Sequence, residues 1–203
     1  MASIGPFSFP SSGYDAVIFD CDGTLVDSMP AHFEAWCEAL ALYGAGGVFK
    51  EDVFFAMGGR PTLDIVVELN DEYNLKLDPT AVAMAKREAF LKRLNTVTLI
   101  EEVAAFAESL RGKVPMAIAT GGSRMVIEKT LQVVGISDWF EEVVTADDVA
   151  EGKPAPDIFL RAAKLMGVAP TKCLAVEDAP AGILAAQRAG MQVIGVPSPL
   201  VSC

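Results

Sequence analysis

The chain has 203 residues, of which 52% are apolar, enough to bury a sizeable core and too apolar for wholesale disorder. Asp and Glu number 27 against 16 Lys and Arg, and the resulting net charge of −11 disfavours nucleic acid and anionic membranes as partners. No apolar stretch approaches the roughly 18–20 residues that span a bilayer, because Gly190, Gly195, Pro197 and Pro199 break the uncharged run Ala189–Cys203.

Residues Met1–Gly13 are rich in Ser, Pro and Gly and lack the positive start and apolar block of a signal peptide, so they read as a short disordered lead-in. Five short apolar runs then read as buried strands: Ala16–Phe19, Pro115–Ala119, Val143–Thr145, Cys173–Val176 and Val193–Val196. Helical stripes lie between them, such as Val103, Phe106, Ala107 and Leu110, or Ile158, Phe159, Ala162, Ala163 and Met166. Apolar strands alternating with amphipathic helices predict an α/β fold with a parallel sheet covered on both faces. Ligands in such sheets bind beyond the carboxyl ends of the strands, where this chain concentrates its polar residues.

The stretch 29–94 differs. Phe33, Trp36, Cys37 and Leu40 form one helical stripe, Leu63, Val66 and Val67 suggest another, and a third helix is expected after Pro79, through Ala81, Ala85 and Ala89. No convincing strand occurs there. The segment is long enough for a small helical bundle inserted after the first strand.

The chemistry-bearing residues fall at strand ends. Asp20 and Asp22 flank Cys21 on a turn that Gly23 permits. Two close carboxylates favour a divalent cation on one or a raised pKa on the other, and Mg²⁺ needs only one or two of them because it keeps several waters. A bare D-x-D could equally be a local turn. The longer string D-x-D-G-T should arise by chance in only about one such chain in a thousand. Thr120, Gly121 and Gly122 follow the second strand, offering a hydroxyl and free N–H groups to a phosphate, although Thr120 or Ser123 could simply cap a helix. Lys153 stands between Gly152 and Pro154 and could be held by the flanking prolines or be solvated. The acidic pair Glu177-Asp178 ends an apolar strand, where metal ligation or lysine pairing would explain it, with helix capping by Asp178 as the alternative. His32 is the only histidine and could handle protons or pack at a helix start. Arg60, in Gly58-Gly59-Arg60-Pro61-Thr62, could meet an anionic substrate or balance the chain's charge. Cys21, between two carboxylates, is not activated and reads as packing. Cys21, Cys37, Cys173 and Cys203 are far apart, without metal spacing, which suits a reducing, cytoplasmic setting.

In order, D-C-D-G-T, the Thr120 turn, Lys153 in G-K-P-A-P-D and Glu177-Asp178 resemble the four motifs of the haloacid dehalogenase superfamily of phosphotransferases, over nearly the whole chain, Tyr14 to about Val196. The resemblance implies a Rossmann-like core, residues 1–28 and 95–203, with a helical cap at 29–94. L-V-D-S-M-P-A-H-F-E-A-W and G-K-P-A-P-D look most like the β-phosphoglucomutase-like branch. G-G-R-P-T in the cap and the short C-terminus look like its sugar phosphatases of the fructose-1-phosphate phosphatase type. Carried over, Asp20 would be the nucleophile and Asp22 the general acid/base. Thr120, Gly121 and Lys153 would hold the phosphoryl group, and His32, Trp36 and Arg60 would face the leaving group from the cap. Mg²⁺ would sit on Asp20, the Asp22 carbonyl and Asp178, with Glu177 ligating directly or supporting from behind.

The implied substrate is a small phosphorylated metabolite, and the implied assembly a monomer or weak homodimer. Halide removal is disfavoured, because dehalogenases lack the second aspartate and the metal. A phosphosugar mutase remains an alternative, as does a silent metabolite- or partner-binding module, although no charged motif position is lost.

Overall fold

The computed structural model describes residues 9–197; residues 1–8 of the expected lead-in, and Cys203, lie outside that range. From Phe9 the chain is packed: its ring stacks on Phe106 with centroids 3.9 Å apart, and the Tyr14 hydroxyl donates to the Pro10 carbonyl at 3.0 Å. Two aromatic anchors override the loop-like composition of this stretch.

The first strand, β1 (Ala16–Phe19), is followed by the two-residue strand β2 (Val26–Asp27) and four helices: α1 (Met29–Leu42), α2 (Glu51–Ala56), α3 (Thr62–Tyr73) and α4 (Pro79–Leu91). After the short strand β3 (Thr98–Leu99) come α5 (Glu101–Leu110), β4 (Met116–Ala119), α6 (Arg124–Val133), β5 (Glu142–Val144), α7 (Asp157–Leu165), β6 (Cys173–Glu177), α8 (Pro180–Arg188) and β7 (Gln192–Gly195). Five strands form one parallel sheet in the order β5-β4-β1-β6-β7.

The continuous apolar character of the inner strands follows from burial on both faces. Along β1, Val17 and Phe19 point into a cluster with Val103 and Ala107 of α5 and Ile127 of α6. Ala16 and Ile18 point the other way, into a cluster with Ile158 and Phe159 of α7 and Ala185 of α8. β4 and β6 alternate in the same sense, with Ile118 and Val176 on the first side and Ala117 and Ala175 on the second.

The helices α1 to α4 carry their own cluster, including Trp36, Leu40, Phe54, Ile65, Leu69 and Val82. The two chain crossings that join them to the sheet pair side by side as the antiparallel β2 and β3, with Val26 opposite Leu99 and Asp27 opposite Thr98. The inward face of α3 is Ile65, Val66 and Leu69. Leu63 and Val67, expected on it, are exposed at 48% and 49%. On α4 the buried residues are Val82, Ala89 and Phe90, whereas Ala81 and Ala85 are only half-buried.

The central strand β1 has β4 on one side and β6 on the other. Loops leaving these three strands therefore converge at their carboxyl ends, where an open α/β sheet forms its crevice.

Candidate active site

Asp20 follows directly on β1 and is buried. Lys153 reaches it from the loop after β5: its Nζ lies 2.6 Å from Asp20 Oδ1 and 2.7 Å from Glu177 Oε2, and its side chain is wholly buried. Glu177, the last residue of β6, is fixed in turn by the backbone N–H groups of Asp178 and Ala179, which donate to its Oε1 at 3.2 and 3.0 Å. Gly182 of α8 leaves the room this carboxylate needs, because a Cβ there would overlap Glu177.

The D-C-D-G-T turn is explained residue by residue. Gly23 has φ +88°, and a Cβ on it would lie 2.6 Å from Asp178 Oδ2, so both conformation and space demand glycine. Thr24 Oγ1 donates to Asp178 Oδ1 at 2.7 Å. Asp178 thus packs against the turn instead of capping α8, whose N-cap residue is Ala179.

Asp22 belongs to a second chain of contacts. The Ser28 hydroxyl donates to its Oδ1 at 2.6 Å, and His32 Nε2 lies 3.1 Å from the same oxygen. Lys86 Nζ lies 2.9 Å from His32 Nδ1, and the imidazole stacks on Phe90 at 3.8 Å. Burial and the Lys86 ammonium lower the His32 pKa; the ring is neutral at neutral pH, Nδ1 accepting from Lys86 and Nε2–H donating to Asp22. Burial alone would raise the Asp22 carboxyl, but His32, Ser28 and Lys86 outweigh it and hold the group at about 2. Burial also lowers Lys86 to about 8.

Thr120 follows β4 and is buried, its Oγ1 accepting the Gly122 N–H at 3.1 Å. Ser123 is the N-cap residue of α6, with no capping bond from its side chain. Above these loops a crevice of about 80 Å³ is lined by Asp20, Asp22, Thr120 and Gly121 from the sheet side, and by His32, Trp36, Arg60 and Lys86 from the helical segment. Arg60 Nη1 pairs with Glu68 at 2.5 Å, so its charge is balanced within the helical segment. The loop carrying it sits tightly on the sheet-side loops. A Cβ on Gly121 would lie 2.6 Å from the Gly59 carbonyl oxygen, and one on Gly152 would run into the Pro61 ring.

The model of the haloacid dehalogenase-like hydrolases matches residues 14–190. The chain belongs to this family. It is 40% identical over 190 residues to the fructose-1-phosphate phosphatase YqaB of Escherichia coli (strain K12), covering 90% of this chain and 96% of that one. It is 35% identical over 196 residues to hexitol phosphatase A of the same organism, covering 90% and 82%. The crystal structure of β-phosphoglucomutase from Clostridium difficile superimposes with a TM-score of 0.77 at 25% identity, covering 90% of this chain and 84% of that one. This haloacid dehalogenase-like hydrolase is an enzyme, and its phosphatase-named relatives place it among the phosphoric monoester hydrolases.

Sequence reasoning missed Lys86 and Ser28. Lys86 is half-buried on the line Val82–Lys86–Phe90 of α4, and a lysine on the apolar line of a helix was the available signal. Ser28 gave none, since a hydroxyl before a helix reads as an ordinary cap.

Asp20, Glu177 and Asp178 present carboxylate oxygens all within 4.8 Å of one another. An all-oxygen set of hard anions fits a hard divalent cation. Burial and the neighbouring Asp20 carboxylate push Glu177 up to about 8 and Asp178 to about 7, despite Lys153. With folded-state pKa values above those of the unfolded chain, the folded protein binds more protons, so its stability falls as pH rises from about 4.5 to about 8. A bound cation replaces those protons. In chelator, the thermal midpoint should fall between pH 5 and pH 8, and saturating Mg²⁺ should raise it more at pH 8 than at pH 5. Equal increments at the two pH values, measured by differential scanning fluorimetry, would contradict this reading.

Proposed function

We propose that the enzyme is a Mg²⁺-dependent phosphatase of small sugar phosphates, hexose phosphates of the fructose 1-phosphate kind, working through a phosphorylated Asp20. The observation that carries this reading is the pair of aspartates two residues apart in different settings: Asp20 on a buried lysine, Asp22 on a histidine–lysine chain. Residues 29–94 act as a cap over this centre, on sheet-based loops from residues 1–28 and 95–203.

In the first step an Asp20 carboxylate oxygen attacks phosphorus and the bond to the leaving oxygen breaks. Lys153 and the Thr120-Gly121 turn bind the phosphoryl oxygens, and Lys153 offsets the repulsion between two anions. Asp22 donates its proton to the leaving oxygen. Although held at about 2 in the free enzyme, its carboxyl rises when an anionic phosphoryl group enters beside it. In the second step the ionised Asp22 takes a proton from water, whose oxygen attacks phosphorus and releases Asp20 as the carboxylate. Asp20, the Asp22 carbonyl and Asp178 would hold Mg²⁺, with Glu177 supporting, and the ion supplies further charge neutralisation at the phosphoryl oxygens.

With fructose 1-phosphate and Mg²⁺, inorganic phosphate should appear without added bisphosphate. Asp20→Asn should lower turnover by several orders of magnitude, and Asp22→Asn by about 10²–10⁴-fold at unchanged Mg²⁺ affinity. Interconversion of sugar phosphates that needs a bisphosphate, with little phosphate released, would instead identify a mutase.

Gly58, Gly59 and Arg60 line the crevice over Asp20, and Pro61 seats against Gly152, so closure of this loop over the phosphoryl group belongs to the proposed reaction. Gly152→Ala would hold Pro61 off without touching a reacting group. Turnover should fall by about tenfold or more, and Pro61→Ala in the same chain should restore it by removing the ring that collides. A double variant as slow as the single one would show that Gly152 acts otherwise.

A further inference from the structure

The crevice over Asp20 adjoins a second cavity of about 420 Å³, which shares Asp22, His32 and Lys86 with it and whose outer walls no step above uses. One wall is a single stripe of α4: Thr80, Met84 and Arg87, at positions i, i+4 and i+7. Thr62 and Asp64 of α3 flank that wall, and Ser123 and Asp147 face it from the sheet side. Asp22 lines both cavities and Asp20 only the first, so the second opens beside the carboxyl that, in the reading above, gives its proton to the leaving group.

We infer that this cavity is the leaving-group site, that Arg87 and Thr80 select its occupant, and that the occupant is an uncharged, polyhydroxylated chain carrying a single phosphate. The inference rests on the phosphatase reading above. Of the basic groups around the two cavities, Lys86 is engaged by His32 and Arg60 by Glu68. Among the described residues, the Arg87 guanidinium and the hydroxyls of Thr62, Thr80 and Ser123 make no hydrogen bond or ion pair. This unpaired set mixes donors with groups that both donate and accept, and Asp64 and Asp147 add acceptors; Asp147 Oδ2 already takes the Arg124 N–H at 2.8 Å. A sugar hydroxyl also donates and accepts, so it can satisfy either kind of partner. A second phosphate would meet one guanidinium but also two carboxylates, and the repulsion opposes it. The exposed Met84 and Leu63 supply apolar surface for the C–H faces of the chain.

The test compares kcat/KM of the full-length enzyme with Mg²⁺ on fructose 1-phosphate, fructose 1,6-bisphosphate and phenyl phosphate, a monoester without hydroxyls. The wild type should favour fructose 1-phosphate over both. Arg87→Met, which keeps much of the apolar stem, should lower the ratio of fructose 1-phosphate to phenyl phosphate by about tenfold, and the near-isosteric Thr80→Val by about threefold, both through KM. Ratios within about twofold of wild type in both variants would overturn the assignment. So would a preference for the bisphosphate, which would make Arg87 an anion site. Hydrolysis of phenyl phosphate but not fructose 1-phosphate would overturn this inference alone, and release of phosphate from neither would overturn the phosphatase reading with it.

Discussion

A buried ammonium between two buried carboxylates organises this molecule. Lys153 bridges Asp20 at the end of β1 and Glu177 at the end of β6, so two adjacent strands and the loop after β5 are tied at one point. Removing these charges from water is costly, and only close pairing with further hydrogen bonds offsets it. The further bonds come from the Asp178 and Ala179 N–H groups, and the Phe159 ring, 5.3 Å from Lys153 Nζ, closes the side toward α7. The pairing is incomplete: Asp178 brings a third carboxylate against a single lysine. That excess of carboxyl groups, held partly protonated by burial and mutual repulsion, is what a divalent cation would relieve.

The helical segment adds a second, separate electrostatic device. Lys86 on α4, His32 on α1 and Asp22 on the strand-end turn form one line of contacts, so the protonation of Asp22 depends on how the helices sit over the sheet. The neighbouring stripe of α4 faces the lateral cavity. One helix thus reaches Asp22 through His32 along one line and lines the lateral cavity along the next, so in the proposed reaction substrate fit and proton transfer would be read by the same element.

Much of this was legible in the sequence, for identifiable reasons. The inner strands β1, β4 and β6 were readable because burial on both faces makes them continuously apolar, and β1 spans the expected residues. The paired crossings β2 and β3 were not readable, since two-residue strands carry no periodicity. Helix α2 was missed for a similar reason, having only six residues. Asp20, Asp22 and Glu177-Asp178 stood out because charges at the ends of apolar strands have no packing role, whereas Lys153, in a proline-flanked loop, stood out by its place in G-K-P-A-P-D. Within the helices, Leu63 and Val67 misled because apolar residues on exposed faces look identical in sequence to buried ones. Lys86 was hidden by the opposite effect, a charge on a line otherwise made of core residues.

If Lys153 holds the carboxyl ends of the sheet together by charge, Lys153→Met removes that tie while keeping much of the apolar stem. Urea unfolding in chelator at pH 7 should show a loss of about 3–5 kcal/mol, the usual cost of leaving buried carboxylates without their partner. Stability equal to that of the wild type would show that the charge of Lys153 does not hold the strand ends together.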